Sequence, residues 1–343
     1  MEEGKHSALD LSDSSSDEAL SIETNTKDTT KSKSKDKDED SDLFSLSGDE
    51  GSDLSSLSEV SSDELSDEFD ENQSGDKIDV NTYKRLWQAC KDGNVEEVQR
   101  LQLTVNWQDS KYSESSFYIA CKNGHARIVK LLLKDKKGDI NKVENEHGHT
   151  PFWIACDKGH IDIVKLLLND QRVDINKLDK HDETPFYRAC EKGHIEIVKL
   201  LLNKNVDINQ VNRSKETPFF HACSDGKIEI VKLLLNDTRV DVNKMDRHHQ
   251  TPFDRACRKR QIEIMKLLLS DKRVDINKAR SDGQTPFYIA CSNGQIEIVK
   301  ELLSEKRLSI KKKTNKGETA IDTVKEANHS KIIKLMKEFD TGN

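Results

Sequence analysis

The chain lacks any run of 18 apolar residues, so nothing in it reads as a membrane-spanning helix. It opens on Met-Glu-Glu-Gly-Lys and not on basic residues followed by an apolar block, so no secretory leader is expected. Cysteine numbers only seven, an odd count with no two close together, which does not fit a secreted disulfide framework. These absences lead us to expect a soluble intracellular protein of the cytoplasm, the nucleus or both, making no membrane contact. Catalytic signatures are missing as well. There is no Gly-rich phosphate loop, no nucleophile elbow and no His-Glu-x-x-His. We therefore expect no enzyme, no cofactor and no metal.

Arginine is absent from the first 80 residues, and aromatics there are limited to Phe44 and Phe69. With 17 apolar residues in 80, this segment cannot bury enough surface to offset the entropy of ordering. It holds 25 acidic residues against seven Lys, a net charge of −18, while the rest of the chain carries 48 basic against 38 acidic residues, a net of +10. We read residues 1–80 as a disordered acidic Ser-rich tail and residues 81–340 as the folded part. Within 43–71, acidic and apolar residues alternate, with Leu43, Phe44, Leu46, Leu65 and Phe69 as candidate anchors. Ser15, Ser47 and Ser61 each have an acid three residues on, a pattern that resembles acidophilic-kinase substrates. Each phosphate there would add about −1.5 to −2 charges.

What is abundant is self-similarity. Thr-Pro-Phe begins at 150, 184, 217, 251 and 285, spacings of 34, 33, 34 and 34. Residues 285–303 read TPFYIACSNGQIEIVKELL, and the others are close copies. A weaker copy begins at Ser115, one at the end puts Thr319 in register, and LWQACKDGNVEEVQRL (86–101) fits at the front. That makes eight units with atypical first and last members, as expected of a stack whose outer faces meet water. In one unit, Thr285 caps a short helix and Pro286 sits where a missing N–H costs nothing. Phe287, Ala290 and Cys291 form its stripe. Gly294 ends it, and Ile296, Val299, Leu302 and Leu303 form the stripe of a second helix. Helices this short are unstable alone and must pack side by side.

TPFYxACxxGHIEIVKLLL followed by VDINK resembles the ankyrin repeat, over roughly residues 83–340. The resemblance implies an α-solenoid, an ankyrin-repeat stack of hairpin–helix–loop–helix units that binds other proteins. Phe replaces the family's Leu, Cys its second Ala, and Tyr118, Trp153, Tyr187, Phe220 and Tyr288 stand at or near its His, where we expect a stacked aromatic surface.

Cys90, Cys121, Cys156, Cys190, Cys223, Cys257 and Cys291 all follow that Ala, on the first helix's stripe. Packed helices lie about 8–10 Å apart, too far for disulfides between rungs, which need Cα atoms within roughly 7 Å. A ladder with one thiol per rung does not converge on zinc either. We read these thiols as small buried hydrophobes. His125, His160 and His194 read as loop histidines bonding backbone groups. His147 with His149, and His248 with His249, read as solvated or partner-contacting hairpin tips.

The sixth unit departs from the rest: TPFDRACRKRQIEIMKLLL. Asp254 replaces the aromatic, and Arg260 takes the slot held elsewhere by Gly124, Gly159, Gly193, Gly226 and Gly294, at a cost of roughly 1 kcal/mol if it turns left-handed. In the family, the two residues before that slot and the hairpin tips line the concave face. The resemblance therefore implies a basic groove of Arg258, Lys259 and Arg260 with Lys158 and Lys192, flanked by tip residues Lys180, Arg213, Lys215, Arg247, Lys278 and Arg280. It would suit an acidic partner, or the chain's own residues 1–80. The competing reading is sequence drift, with Asp254 and Arg258 as an i,i+4 pair.

The sequence thus leads to a protein-interaction scaffold or adaptor tuned by a phosphorylatable acidic tail. Its alternatives are a nuclear chromatin- or transcription-associated factor whose tail binds basic proteins, and a regulatory subunit of a separate enzyme. Direct nucleic-acid binding is disfavoured, because the basic charge is scattered and the whole chain is acidic.

Overall fold

A computed structural model describes residues 70–71, 77–78, 80–101, 114–136, 138–144 and 146–342. The acidic stretch up to residue 69, with Ser15, Ser47, Ser61 and the candidate anchors, lies outside the described residues. Two short strands, β1 (Asp70–Glu71) and β2 (Lys77–Ile78), pair antiparallel just before the first helix, inside the stretch read from composition as unstructured.

Eight helix pairs follow. They are α1 (Val80–Asp92) with α2 (Val95–Leu101), α3 (Ser116–Lys122) with α4 (Ala126–Leu132), α5 (Pro151–Lys158) with α6 (Ile161–Leu168), and α7 (Pro185–Lys192) with α8 (Ile195–Leu202). Then come α9 (Pro218–Ser224) with α10 (Ile228–Leu235), α11 (Pro252–Arg258) with α12 (Ile262–Ser270), α13 (Pro286–Ser292) with α14 (Ile296–Leu303), and α15 (Ala320–Glu326) with α16 (Ser330–Gly342). Each Thr-Pro starts a first helix as its chemistry requires. Thr150, Thr184, Thr217, Thr251 and Thr285 hold extended backbone, and each hydroxyl accepts the N–H three residues on, at 3.0–3.1 Å. Ser115 does the same for Tyr118 at 3.1 Å. At the last unit Thr319 and Asp322 cap reciprocally.

First helices pack on first helices along the stack, and second helices on second helices. Between α12 and α14, Lys266 and Glu301 add an ion pair at 3.4 Å. The apolar interior is continuous: Phe117, Phe152, Phe186, Phe219, Phe253 and Phe287 are buried beside the Ile-Val-Leu stripes of the second helices. Each pair therefore completes its neighbour's core, which is why helices of seven to nine residues persist here.

The first helix ends by turning left-handed, with φ of +76° at Gly159 and +78° at Gly193. Arg260 adopts the same turn at φ +56°, as the spacing requires. The glycine also makes room: the next unit's histidine lies over it and reaches back to a backbone carbonyl. His125, His160 and His194 meet the carbonyls of Lys91, Lys122 and Asp157 at 3.0, 2.9 and 2.8 Å, the bonding expected of them.

The loops after each second helix carry a feature the periodicity did not reveal. Asn141, Asn176, Asn209, Asn243 and Asn277 each bridge to the next unit, donating to one backbone carbonyl and accepting one backbone N–H at 2.7–3.1 Å. In the 34-residue units an arginine adds a clip. Arg239 and Arg273, paired with Asp237 and Asp271, donate back to the carbonyls of Leu202 and Leu235 at the preceding helix end. The 33-residue unit is short at this place: Asn203-Lys204-Asn205-Val206 stands where Asn169-Asp170-Gln171-Arg172-Val173 stands one unit earlier, so the Asp–Arg clip is missing.

Candidate protein-binding face

Along one edge of the first helices runs a row of buried to half-buried polar side chains that cross from rung to rung. The residue four positions after Thr184, Thr217 and Thr251 reaches the residue seven positions after the Thr of the preceding unit, whereas after Thr150 and Thr285 that place holds the buried Ile154 and Ile289. Arg188 donates to Asp157 through Nε at 3.1 Å and Nη2 at 2.8 Å. It also pairs with Glu183 at 3.4 Å and with Glu191, and lies 5.1 Å over the Trp153 ring. One rung on, His221 faces Glu191 at 3.5 Å, together with Glu216 at 3.5 Å and Asp225 at 3.1 Å. On the next rung Arg255 donates to Ser224 Oγ at 3.3 Å.

Charge is unevenly shared along this row. Asp157, Glu183, Glu191, Glu216 and Asp225 share Arg188 and His221. Burial, reinforced by Asp179 and Glu191 against the pull of Arg188, lifts the Glu183 carboxyl to about 7. Burial opposes charge on His221, but the hydrogen bonds its ring donates to Asp225 and Glu216, with the charges of Asp225 and Glu191, raise it to about 10. The row turns basic at α11. Its one acid, Asp254, is 1% exposed and held by Arg280 through Oδ2 at 2.7–2.8 Å. The drift reading paired Asp254 with Arg258; in the structure Arg258 acts on Asp254 as a nearby charge, and the hydrogen-bonded ion pair is made with Arg280, one unit on. This replaces a neutral contact two units earlier, where Asn212 donates to the Tyr187 hydroxyl at 2.9 Å. Burial holds the Asp254 carboxyl above its ordinary range despite Arg280.

The candidate partner residues fall as follows. Lys158, Lys180, Lys192, Arg213, Lys215, Arg247, Arg258, Arg260 and Lys278 are exposed, whereas Lys259 and Arg280 are half-buried. Lys158 lies 3.6 Å from Asp157, and Arg213 lies 3.9 Å from Asp182. Successive tips are joined through backbone bonds from Lys180 to His147, Arg213 to His181 and Arg247 to Ser214. Lys215 turns left-handed at φ +61°. Arg280 is committed to Asp254 and so differs from the open tip residue expected from the spacing. His149 differs too. It is not a solvated tip but stacks on Trp153, ring centroids 3.5 Å apart, beside Glu144 and Asp179. The aromatic positions do not form an outward surface: Tyr118, Trp153, Tyr187, Phe220 and Tyr288 are all buried. Sequence reasoning missed Arg188, His221 and Arg255. Their signal was a basic residue at the second position after Phe, legible only when each unit is set against its predecessor.

All seven thiols are free and buried. Burial pushes Cys90 and Cys291 up to about 12 and the other five upward as well. They are therefore held as neutral packing groups, the opposite of an activated thiolate. Among the described residues, no helix is long and apolar enough to cross a membrane.

The fold and this face define a stacked helix-pair repeat protein with an ionic row along one edge of its first helices. The family model for ankyrin repeats matches residues 86–179, 117–212, 186–280 and 272–342, and the chain belongs to the ankyrin-repeat family. Ankyrin repeats are generally protein–protein interaction modules and are typically non-catalytic. A search of curated proteins found no match to the chain.

Proposed function

We propose that the chain is a non-catalytic intracellular scaffold that binds another protein through its first-helix face and hairpin tips, the concave side in this family. One observation carries the reading. The buried thiols and the apolar core leave a rigid stack whose first-helix row consists of paired and partly paired charges. Such a surface recognises a complementary charged protein surface. The basic residues around α11 favour an acidic partner, and residues 1–80, with net charge −18, tune access by competing for the same cations. Phosphorylation at Ser15, Ser47 or Ser61 strengthens that competition.

The test is capture of partners by the full chain and by a chain lacking residues 1–80. Hydrogen exchange of the captured complex follows. Protection confined to α5, α7, α9, α11 and the tips supports the reading, and protection confined to the second helices overturns it. Removal of residues 1–80 is expected to strengthen binding of acidic ligands at low salt, with the difference fading as salt screens it. Equal affinity with and without the segment removes its regulatory role.

A further inference from the structure

The ladder rule along the first-helix face supplies its own internal control. Arg188 and Arg255 occupy the same position in their units, and each reaches 31 residues back to the preceding helix. Arg188 finds the Asp157 carboxylate there, whereas Arg255 finds only the Ser224 hydroxyl. No other acid fills the gap. Asp254 is buried and committed to Arg280, and Asp225 lies 3.1 Å from His221. Among the described residues, Arg255 forms no ion pair, and its single side-chain hydrogen bond runs from Nε to Ser224. The residue is half-buried and stands on the first helix α11, with Arg258 one turn further on.

We propose that Arg255 is the docking point for an acidic side chain of the partner protein, which supplies the carboxylate that this rung lacks. The inference rests on the scaffold reading and names the chemistry of the group bound. A guanidinium takes a carboxylate or phosphate oxygen pair through two parallel N–H bonds. Partial burial strengthens that pairing relative to one in open water. Asp157 with Arg188 shows that this same helix-to-helix spacing accommodates a carboxylate.

The experiment uses the full chain and a short fluorescein-labelled peptide of alternating Glu and Ser, followed by anisotropy at low salt. Arg255→Glu is expected to weaken binding by about tenfold or more. Lys232→Glu makes the same change in net charge on the exposed side of α10 and is expected to alter binding by less than about twofold. Ser224→Asp supplies the carboxylate from within the chain. It is expected to lower peptide affinity while the thermal transition stays at or above that of the parent, a readout that a misfolded variant cannot mimic. Equal losses in Arg255→Glu and Lys232→Glu overturn the proposal, because net charge alone would then explain the binding. Unchanged affinity in Ser224→Asp also overturns it. Failure of the parent chain to bind the peptide overturns it too, while the scaffold reading stands or falls by the exchange experiment.

Discussion

The imidazole of His194 occupies the space that a side chain on Gly159 would fill: a Cβ built there would lie 2.6 Å from His194 Cε1. The glycine's φ of +76° adds a second reason against any side chain. Gly159→Ala is expected to destabilise by about 1–3 kcal/mol, and His194→Ala in the same chain to recover part of that loss, as read by urea denaturation. Arg260 shows the converse. It holds φ +56° without being glycine, and Gln295, not a histidine, follows one unit on. Arg260→Gly is expected to stabilise by about 1 kcal/mol, and Arg260→Ala to bring no comparable gain.

The Asp254–Arg280 pair is largely buried, so its halves depend on one another. Arg280→Ala leaves an acid that is 1% exposed without its counter-charge and is expected to cost about 3–5 kcal/mol. The double change Asp254→Tyr with Arg280→Asn recreates the Tyr187–Asn212 contact and is expected to be no less stable than the parent. Thermal melts of the two variants side by side check both outcomes.

Asn243 serves two backbone groups of the next unit, donating to the Arg273 carbonyl at 2.8 Å and accepting from the Asp275 N–H at 2.8 Å. Asn243→Ala is expected to cost about 1–3 kcal/mol. Hydrogen exchange should show the loss first at the Asp275 amide. An unchanged exchange rate there would show that the bridge is not what holds the loop.

Two groups on the first-helix face make stability pH-dependent in the same direction. His221 is raised from 6.5 to about 10, so its contribution is complete below about pH 6.5 and is lost as pH rises towards 10. Glu183 is raised from 4.5 to about 7, so ionising it penalises the folded state progressively across that interval. Glu183→Gln should match the parent near about pH 4 and exceed it by about 1 kcal/mol or more near about pH 8, the attraction of Arg188 being already contained in the raised value. His221→Gln should cost about 1–2 kcal/mol near about pH 6, with the gap narrowing as pH rises towards 10. Denaturant titrations at these pH values decide both.

Much of the fold was legible because each unit states its own helix ends. Thr-Pro at the start, glycine at the stop and the Ile-Val-Leu-Leu stripe are local signals, and local signals survive in a single sequence. The burial of the cysteines followed from their position on the same stripe. The site was less legible, because its contacts run between units. Arg188 with Asp157, and Asp254 with Arg280, are separated by 31 and 26 residues, so their pairing depends on how neighbouring rungs are offset. The i,i+4 pairing offered for Asp254 found a nearby charge in Arg258 but not the closer partner, which the next unit supplies. The same holds for His149, whose tip position suggested solvent but whose ring is claimed by Trp153.

The row of cysteines gives the molecule a set of clocks. One thiol sits in each of the first seven units, each sealed at the same depth. A thiol-specific reagent can reach any one of them only when its own module opens. The order and rate of labelling along the chain would therefore report, rung by rung, where the array comes apart first, without a probe having to be engineered into it.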